Sequence, residues 1–154
     1  MDKPNVESKF KFLGYQVNNI SLITNPTFQN VNPIDIDFNI TVGTSMNVEE
    51  RKVQVTLGTV VFPDANKKNY PFSLEITLTG LFQSEENLAI EALEHFGEIN
   101  GTAALFPFLR STIAGVCVNA NFPAIMFPLI NVFNFIEEQK KNKLIQDNQA
   151  STTL

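Results

Sequence analysis

From Pro33 onward, apolar and polar residues alternate strictly. Ile34, Ile36, Phe38, Ile40 and Val42 stand on one side, with Asp35, Asp37, Asn39 and Thr41 between them. Successive side chains of an extended chain point to opposite faces, so this run predicts a strand with one apolar face. Residues 43–50 are polar and read as a loop. A second strand is predicted over 52–62, where Val53, Val55 and Leu57 alternate with polar neighbours. Residues 63–69 form a polar turn. A third strand follows over 70–82, with Phe72, Leu74, Ile76 and Leu78 on one face and Ser73, Glu75, Thr77 and Thr79 on the other. Two strands joined by a turn make an antiparallel hairpin. Before Pro33 the pattern is weaker. Phe10, Phe12, Ile20 and Leu22 alternate with a break near Gly14, and Asn25-Pro26 and Asn32-Pro33 mark turns.

After Ser84 the period changes. Ser84 reads as a helix N-cap with Glu85 and Glu86 in the first turn, where carboxylates favour the helix dipole. Leu88, Ala92 and Phe96 share a helix face. Gly97 is the expected stop and residues 100–102 a second break. Leu105, Phe108, Leu109, Thr112, Ile113, Val116 and Ala120 give a long helical stripe, with Pro107 expected in its first turn. Residues 121–128 form a proline-bounded apolar loop. A last helix is expected over 129 to about 142, with a disordered tail over 146–154. Strands first and helices after predict an α+β fold, as a single domain over 1–145.

Composition narrows the function. The 154 residues include 14 Phe but only 2 Tyr and no Trp. So many rings exceed what one small core needs, and point to a partner or ligand surface as an alternative to burial. The net charge of −5 leaves no basic stripe for nucleic acid. No apolar run of signal length opens the chain, and residues 120–135 are too interrupted by Pro and Asn for a membrane span. Cys117 is the only cysteine, which fits a reducing compartment and a cytoplasmic location. It is expected to be a buried structural thiol. His95, the only histidine, is expected on the surface, without partners for a metal site. Asp35 and Asp37 are expected on a solvated face. Residues 97–102 lack the lysine of a phosphate loop. The chain is therefore read as non-enzymatic, without cofactor or metal.

One region carries a resemblance. Leu105-Phe106-Pro107-Phe108-Leu109-Arg110 is similar to the segment that opens the long helix of SecB chaperones. Phe122-Pro123 and Pro128-Leu129-Ile130-Asn131-Val132-Phe133 follow in the family's order. Upstream, residues 72–76 and 80–82 resemble its fourth strand, and Ile20, Ser21, Leu22, Phe28 and Pro33 its first strand and following loop. The resemblance spans about 10–139. It implies a four-stranded antiparallel sheet with helices packed on one side, assembled as a homotetramer, a dimer of dimers. It also implies an ATP-independent holdase for unfolded or precursor polypeptides.

On that reading, Ile36, Phe38, Phe122, Ile125, Met126 and Phe127 are candidate walls of a client groove, or else a cap on the core. Leu74, Ile76 and Leu78 are candidate subunit contacts, or else an ordinary core face. Export members of the family dock the motor SecA through acids on the first and fourth strands. Glu75 matches the fourth-strand acid, but Asn19 and Ile23 stand where first-strand acids are expected, and Lys140, Lys141 and Lys143 replace an acidic tail. These departures open a second reading, a chaperone dedicated to one partner such as an antitoxin. A small-ligand-binding α+β domain is the reading outside the class.

Overall fold

The computed structural model describes residues 9–30 and 33–152. Of the positions read above, Asn32, the N-terminal residues 1–8 and the last two residues lie outside that set. Four strands form one antiparallel sheet: β1 (Phe10–Thr24), β2 (Phe38–Asn47), β3 (Lys52–Val61) and β4 (Phe72–Ser84), in the order β1-β4-β3-β2. A one-turn helix α1 (Ala65–Lys68) lies in the β3–β4 connection. Then come α2 (Ile90–Phe96), a π-turn (Gly97–Gly101), α3 (Thr102–Asn119) and α4 (Val132–Ser151).

The period-two pattern decides which sheet face the helices cover. Val53, Val55, Leu57 and Val61 of β3 and Leu74, Ile76 and Leu78 of β4 are fully buried. Leu105, Leu109, Ile113 and Cys117 of α3 meet them at helical spacing and are equally buried. Each such side chain contributes about 1.5–3 kcal/mol of hydrophobic stabilisation. The opposite face carries Ser73, Glu75, Thr77 and Thr79 and faces away from the helices. In β1, register shifts between Phe12 and Gly14 and between Val17 and Asn19 each flip the parity. The residues opposite the core positions of β4 are therefore Phe12, Tyr15, Val17, Ile20 and Leu22. That double flip is why the alternation of β1 is weak in the sequence.

Several boundaries differ from expectation. β2 begins at Phe38, because β3 ends at Val61 and Phe62 turns away in a left-handed backbone (φ 55°). Ile34 and Ile36 therefore have no ladder partner and pack against the core from a loop. At its other end β2 continues through the supposed loop to Asn47, paired to β3 as far as Lys52. Ser84 caps no helix. Its N–H still donates to the Arg51 carbonyl (2.8 Å), and its hydroxyl oxygen accepts from the Glu86 N–H in a turn (3.1 Å). The helix starts six residues later, at Ile90.

Gly97 and residues 100–102 do not break the helix, which runs on through the π-turn from Ile90 to Asn119. Its two glycines are there for proximity. A Cβ at Gly97 would stand 2.6 Å from Val53 Cγ2, and one at Gly101 2.8 Å from Val55 Cγ2. Pro107 accordingly sits inside the helix, on its exposed side, where it removes one backbone donor. By length and composition this helix is long and apolar enough to cross a membrane, but here it is the core helix of the fold. Asn131 caps α4, its side-chain oxygen accepting from the Asn134 N–H (3.1 Å). α4 replaces the expected tail with helix as far as Ser151. Only Ile136 is buried along it, and residues 141–152 are all exposed.

Candidate polypeptide-binding groove

Two irregular segments face each other at one end of the core. The first is the crossover from β1 to β2, pinned at both ends to the β3–β4 connection. At its start, Asn25 is 4% exposed. Its side-chain amide donates to the carbonyls of Ala65 (3.2 Å) and Tyr70 (2.9 Å), and its N–H to Pro71 (2.9 Å). Its side-chain oxygen accepts from the Thr27 N–H (3.0 Å) and hydroxyl (2.8 Å). At the other end, the Asp37 carboxylate accepts from Lys68 (3.1 Å) and from the Tyr70 hydroxyl (2.9 Å). The Lys68 ammonium first, and the Tyr70 hydroxyl second, hold the Asp37 carboxyl below the usual carboxylate range. The same bond pushes the Tyr70 hydroxyl up. Asp37 is thus a clasp and not a free solvated acid. Asp35 is exposed, as read from the sequence.

The second segment is the α3–α4 loop. It starts where the Phe122 N–H donates to the Cys117 carbonyl (2.8 Å). Pro123 and Pro128 keep helix from re-forming between Asn121 and Asn131. Arg110 of α3 donates weakly to the Pro128 carbonyl (3.4 Å).

Two apolar chambers lie along the α3–α4 loop, one against the crossover and one against the start of β2. The larger, about 690 Å³, is walled by Ile34 and Ile36 from the crossover and by Phe122, Ile125 and Met126 from the loop, over Phe62 and Phe72. The rings of Phe72 and Phe122 are 4.6 Å apart. The smaller, about 470 Å³, is walled by Phe38 and Ile40 of β2, Pro128, Leu129 and Ile130 of the loop, and Phe135 of α4. Phe127 lies between them in the chain. It is only 6% exposed and packs against Phe38 (4.4 Å) and Phe106 (6.5 Å). Met126 and Leu129, on either side, are 87% and 89% exposed. Among the described residues, no charged side chain lines either chamber.

The structure thus brings Ile36, Phe122, Ile125 and Met126 into one chamber and Phe38 into the other. It moves Phe127 from wall to buried anchor. The sequence reading missed Phe28, Phe62 and Phe72 in the first chamber and Leu129, Ile130 and Phe135 in the second. The surplus of Phe was the one signal that such residues existed.

Leu74, Ile76 and Leu78 are not subunit contacts. All three are fully buried beneath the helices of their own chain and present no surface to a second one. The apolar residues exposed in the sheet are on the edge strand β1: Phe12, Leu13, Tyr15, Ile20 and Ile23. Glu75 is exposed on the open face. Its register neighbours are Ser21 of β1 and Val60 of β3, and Asn19 and Ile23 lie on the same face, opposite Thr77 and Ser73.

Elsewhere the chemistry is sparse. His95 is exposed. Cys117 is fully buried, and burial pushes its thiol pKa up, away from nucleophilic use. Among the described residues no three His, Cys, Asp or Glu side chains gather as metal ligands.

A four-stranded antiparallel sheet with helices on one face, and an uncharged groove between crossover and helix-connecting loop, define a SecB-like protein. A family profile described as preprotein translocase subunit SecB matches residues 5–143, and the chain belongs to the SecB family. An uncharacterized protein of Methanocaldococcus jannaschii, MJ0357, is 31% identical over 147 residues, covering 91% of this chain and 93% of its own. The protein-export protein SecB of Anaplasma phagocytophilum is 33% identical over 97 residues, 62% of this chain and 58% of that one. Among solved structures, the fold is similar to the Mycobacterium tuberculosis Rv1957 SecB-like chaperone in complex with a ChAD peptide from the Rv1956 HigA1 antitoxin. That match has a TM-score of 0.62 at 10% identity and covers 79% of this chain and 88% of the other.

Proposed function

We propose that this protein is a non-enzymatic, ATP-independent holdase that binds extended apolar segments of unfolded polypeptides in the two-chambered groove. The observation that carries this reading is the groove's lining, which is mostly aromatic and aliphatic, with a few neutral polar side chains and no charge. Such a site gains from burying any apolar side chain and selects weakly among them. The net charge of −5 keeps a molecule with that much open apolar surface dispersed. A cytoplasmic location suits the single buried thiol. A homotetramer, built as a dimer of dimers, would cover the apolar side chains exposed along β1.

The test is suppression of aggregation of a chemically unfolded client without nucleotide. Met126→Glu and Ile125→Asp, which place charge in the groove, should weaken client binding about tenfold or more, as expected for a loss near 1.4 kcal/mol. Wild-type protein that suppresses nothing at stoichiometric amounts, or variants that match it, would reject the groove reading.

One observation bears on which client. Export would require docking to SecA through acids on the open sheet face. Glu75 stands there among Ser21, Asn19, Thr77 and Ser73, without a second carboxylate on these neighbours. That favours a dedicated client, such as an antitoxin, over delivery of precursors to SecA. Tight SecA binding that is abolished by Glu75→Gln would reverse the preference.

A further inference from the structure

Behind α4 lies a third cavity, polar where the groove is apolar. It measures about 310 Å³ and is lined by Glu94 and Glu98, by Lys140 and Lys143, and by Thr44 and Gln139. Within it Lys140 Nζ donates to Glu98 Oε2 at 2.8 Å, with the Glu98 side chain 17% exposed and that of Lys140 51%. One residue earlier on α4, Gln139 Nε2 donates to the carbonyl of Ile40 in β2 at 3.5 Å. Ile40 also walls the smaller chamber, and so does Phe135, one turn before Gln139 on the same helix. The helix that closes the smaller chamber is therefore tied down one turn away by these polar contacts together with the apolar packing of Ile136. Its only buried residue is Ile136. An element with so little burial opens locally more readily than the core.

We propose that the Glu98–Lys140 pair, together with the Gln139–Ile40 contact, is an electrostatic latch that sets the width of the smaller chamber. Latched, α4 keeps Phe135 near Phe38 and Ile40. Released, α4 swings about its Asn131 cap and the chamber widens for bulkier segments. The charged groups around Lys140 are Glu94 and Glu98 from α2 and the π-turn, and Glu137 and Lys143 from α4. β2 contributes only Val42 and Thr44. With three carboxylates around it, Lys140→Glu turns attraction into repulsion. This inference rests on the groove reading for its purpose but not for its mechanics.

The test compares full-length wild type, Lys140→Glu, Lys140→Gln and the reversed pair Glu98→Lys/Lys140→Glu. Amide hydrogen exchange over residues 132–140 and fluorescence of the apolar dye bis-ANS are read at salt concentrations whose Debye lengths lie above and below about 10 Å. In Lys140→Glu, exchange should accelerate by about twofold to fivefold and dye fluorescence rise, a span set by what exposed pairs contribute. High salt screens attraction and repulsion alike, so it should move wild type and the variant toward each other. The reversed pair should return both signals toward wild type. Exchange and dye binding unchanged in Lys140→Glu, or a reversed pair that behaves like it, would overturn the latch. Should Lys140→Glu fail to fold, Lys140→Gln, which adds no repulsion, decides: wild-type exchange over 132–140 overturns the proposal. Failure of the holdase reading shows separately, as wild-type protein that does not hold a reduced, carboxymethylated polypeptide.

Discussion

Two seams of this molecule are made of the same side chains and end in opposite states. Along one, α3 and the π-turn lie on β3 and β4, and the space between them is filled. Along the other, the α3–α4 loop stands off from the crossover and from the start of β2, leaving a chamber against each. Both are lined by large apolar side chains, chiefly Val, Leu and Ile at the first and Phe and Ile at the second. Backbone approach makes the difference. At the closed seam Gly97 and Gly101 let the helix backbone settle within van der Waals reach of Val53 and Val55. At the open seam Pro123 and Pro128 prevent helix, and clasps at Asn25 and Asp37 hold the facing segment at its ends. Apolar composition alone does not say whether a surface becomes core or stays an open groove. The geometry of the backbone that carries it does.

The largest expected effect comes from opening the closed seam. Ile76→Ala should cost about 2–5 kcal/mol, the range for a buried aliphatic truncated to alanine, read as a lower denaturant midpoint at unchanged slope. Because Ile76 is core, client affinity per folded molecule should stay unchanged, and the substitution should leave the mass in solution that wild type shows by light scattering unchanged at temperatures where it remains folded. Loss of assembly before loss of fold would restore its role as a subunit contact.

Next is the seam's spacing. Gly101→Val should destabilise by about 1–3 kcal/mol through overpacking against Val55 and Phe82, seen as a lower thermal midpoint. A variant as stable as wild type would show that the helix can lift from the sheet without loss, and the contrast drawn here would fail.

At the open seam the order of effects reverses. Phe122→Ala should weaken client binding several-fold while lowering stability by less than the Ile76 change, since its ring is only partly buried. Calorimetric titration with an unfolded peptide, beside a melting curve, separates the two.

The smallest effect belongs to pH. Asp37 has a folded-state pKa below its ordinary 3.8, so its clasp contributes stability above that value and loses it as pH falls through the folded pKa. Lys68 is raised above its ordinary 10.5, so its share is fully present below that value and fades only as pH rises through the raised one. The clasp should therefore be flat from about pH 5 to 9, weakening in acid as Asp37 protonates and in strong alkali as Lys68 loses its proton. Asp37→Asn should remove that acid-side dependence and leave the neutral plateau level. A clasp contribution that changed between pH 6 and 8 would contradict this.

Much of the sheet was legible in the chain. The alternation from Val53 to Leu57 and from Phe72 to Leu78 predicts both the strands and the face that is buried, because the period of an extended chain is a local property. So are the proline-bounded loop and the order of motifs from Leu105 to Phe133 that points to the SecB family. The groove was legible in part. Ile36 and Phe38 belong to a clean alternation, and Phe122, Ile125 and Met126 to a loop that cannot be helix. Other features were not local. Ser84 looked like a helix cap because a serine before two glutamates is one, until pairing with Arg51 claimed it for the sheet. Gly97 looked like a stop because free glycine ends helices, until contact with Val53 made it a point of close approach. Leu74, Ile76 and Leu78 read in the sequence as subunit contacts, with a core face as the alternative, and only the position of α3 over them decided for the core.

By itself, then, the sequence determined the periods, the breakers and the charge, since these depend on each residue and its near neighbours. It was the tertiary structure that decided which apolar surface is sealed and which stays open. That outcome depends on how closely two distant backbones can approach, and neither backbone carries the answer alone.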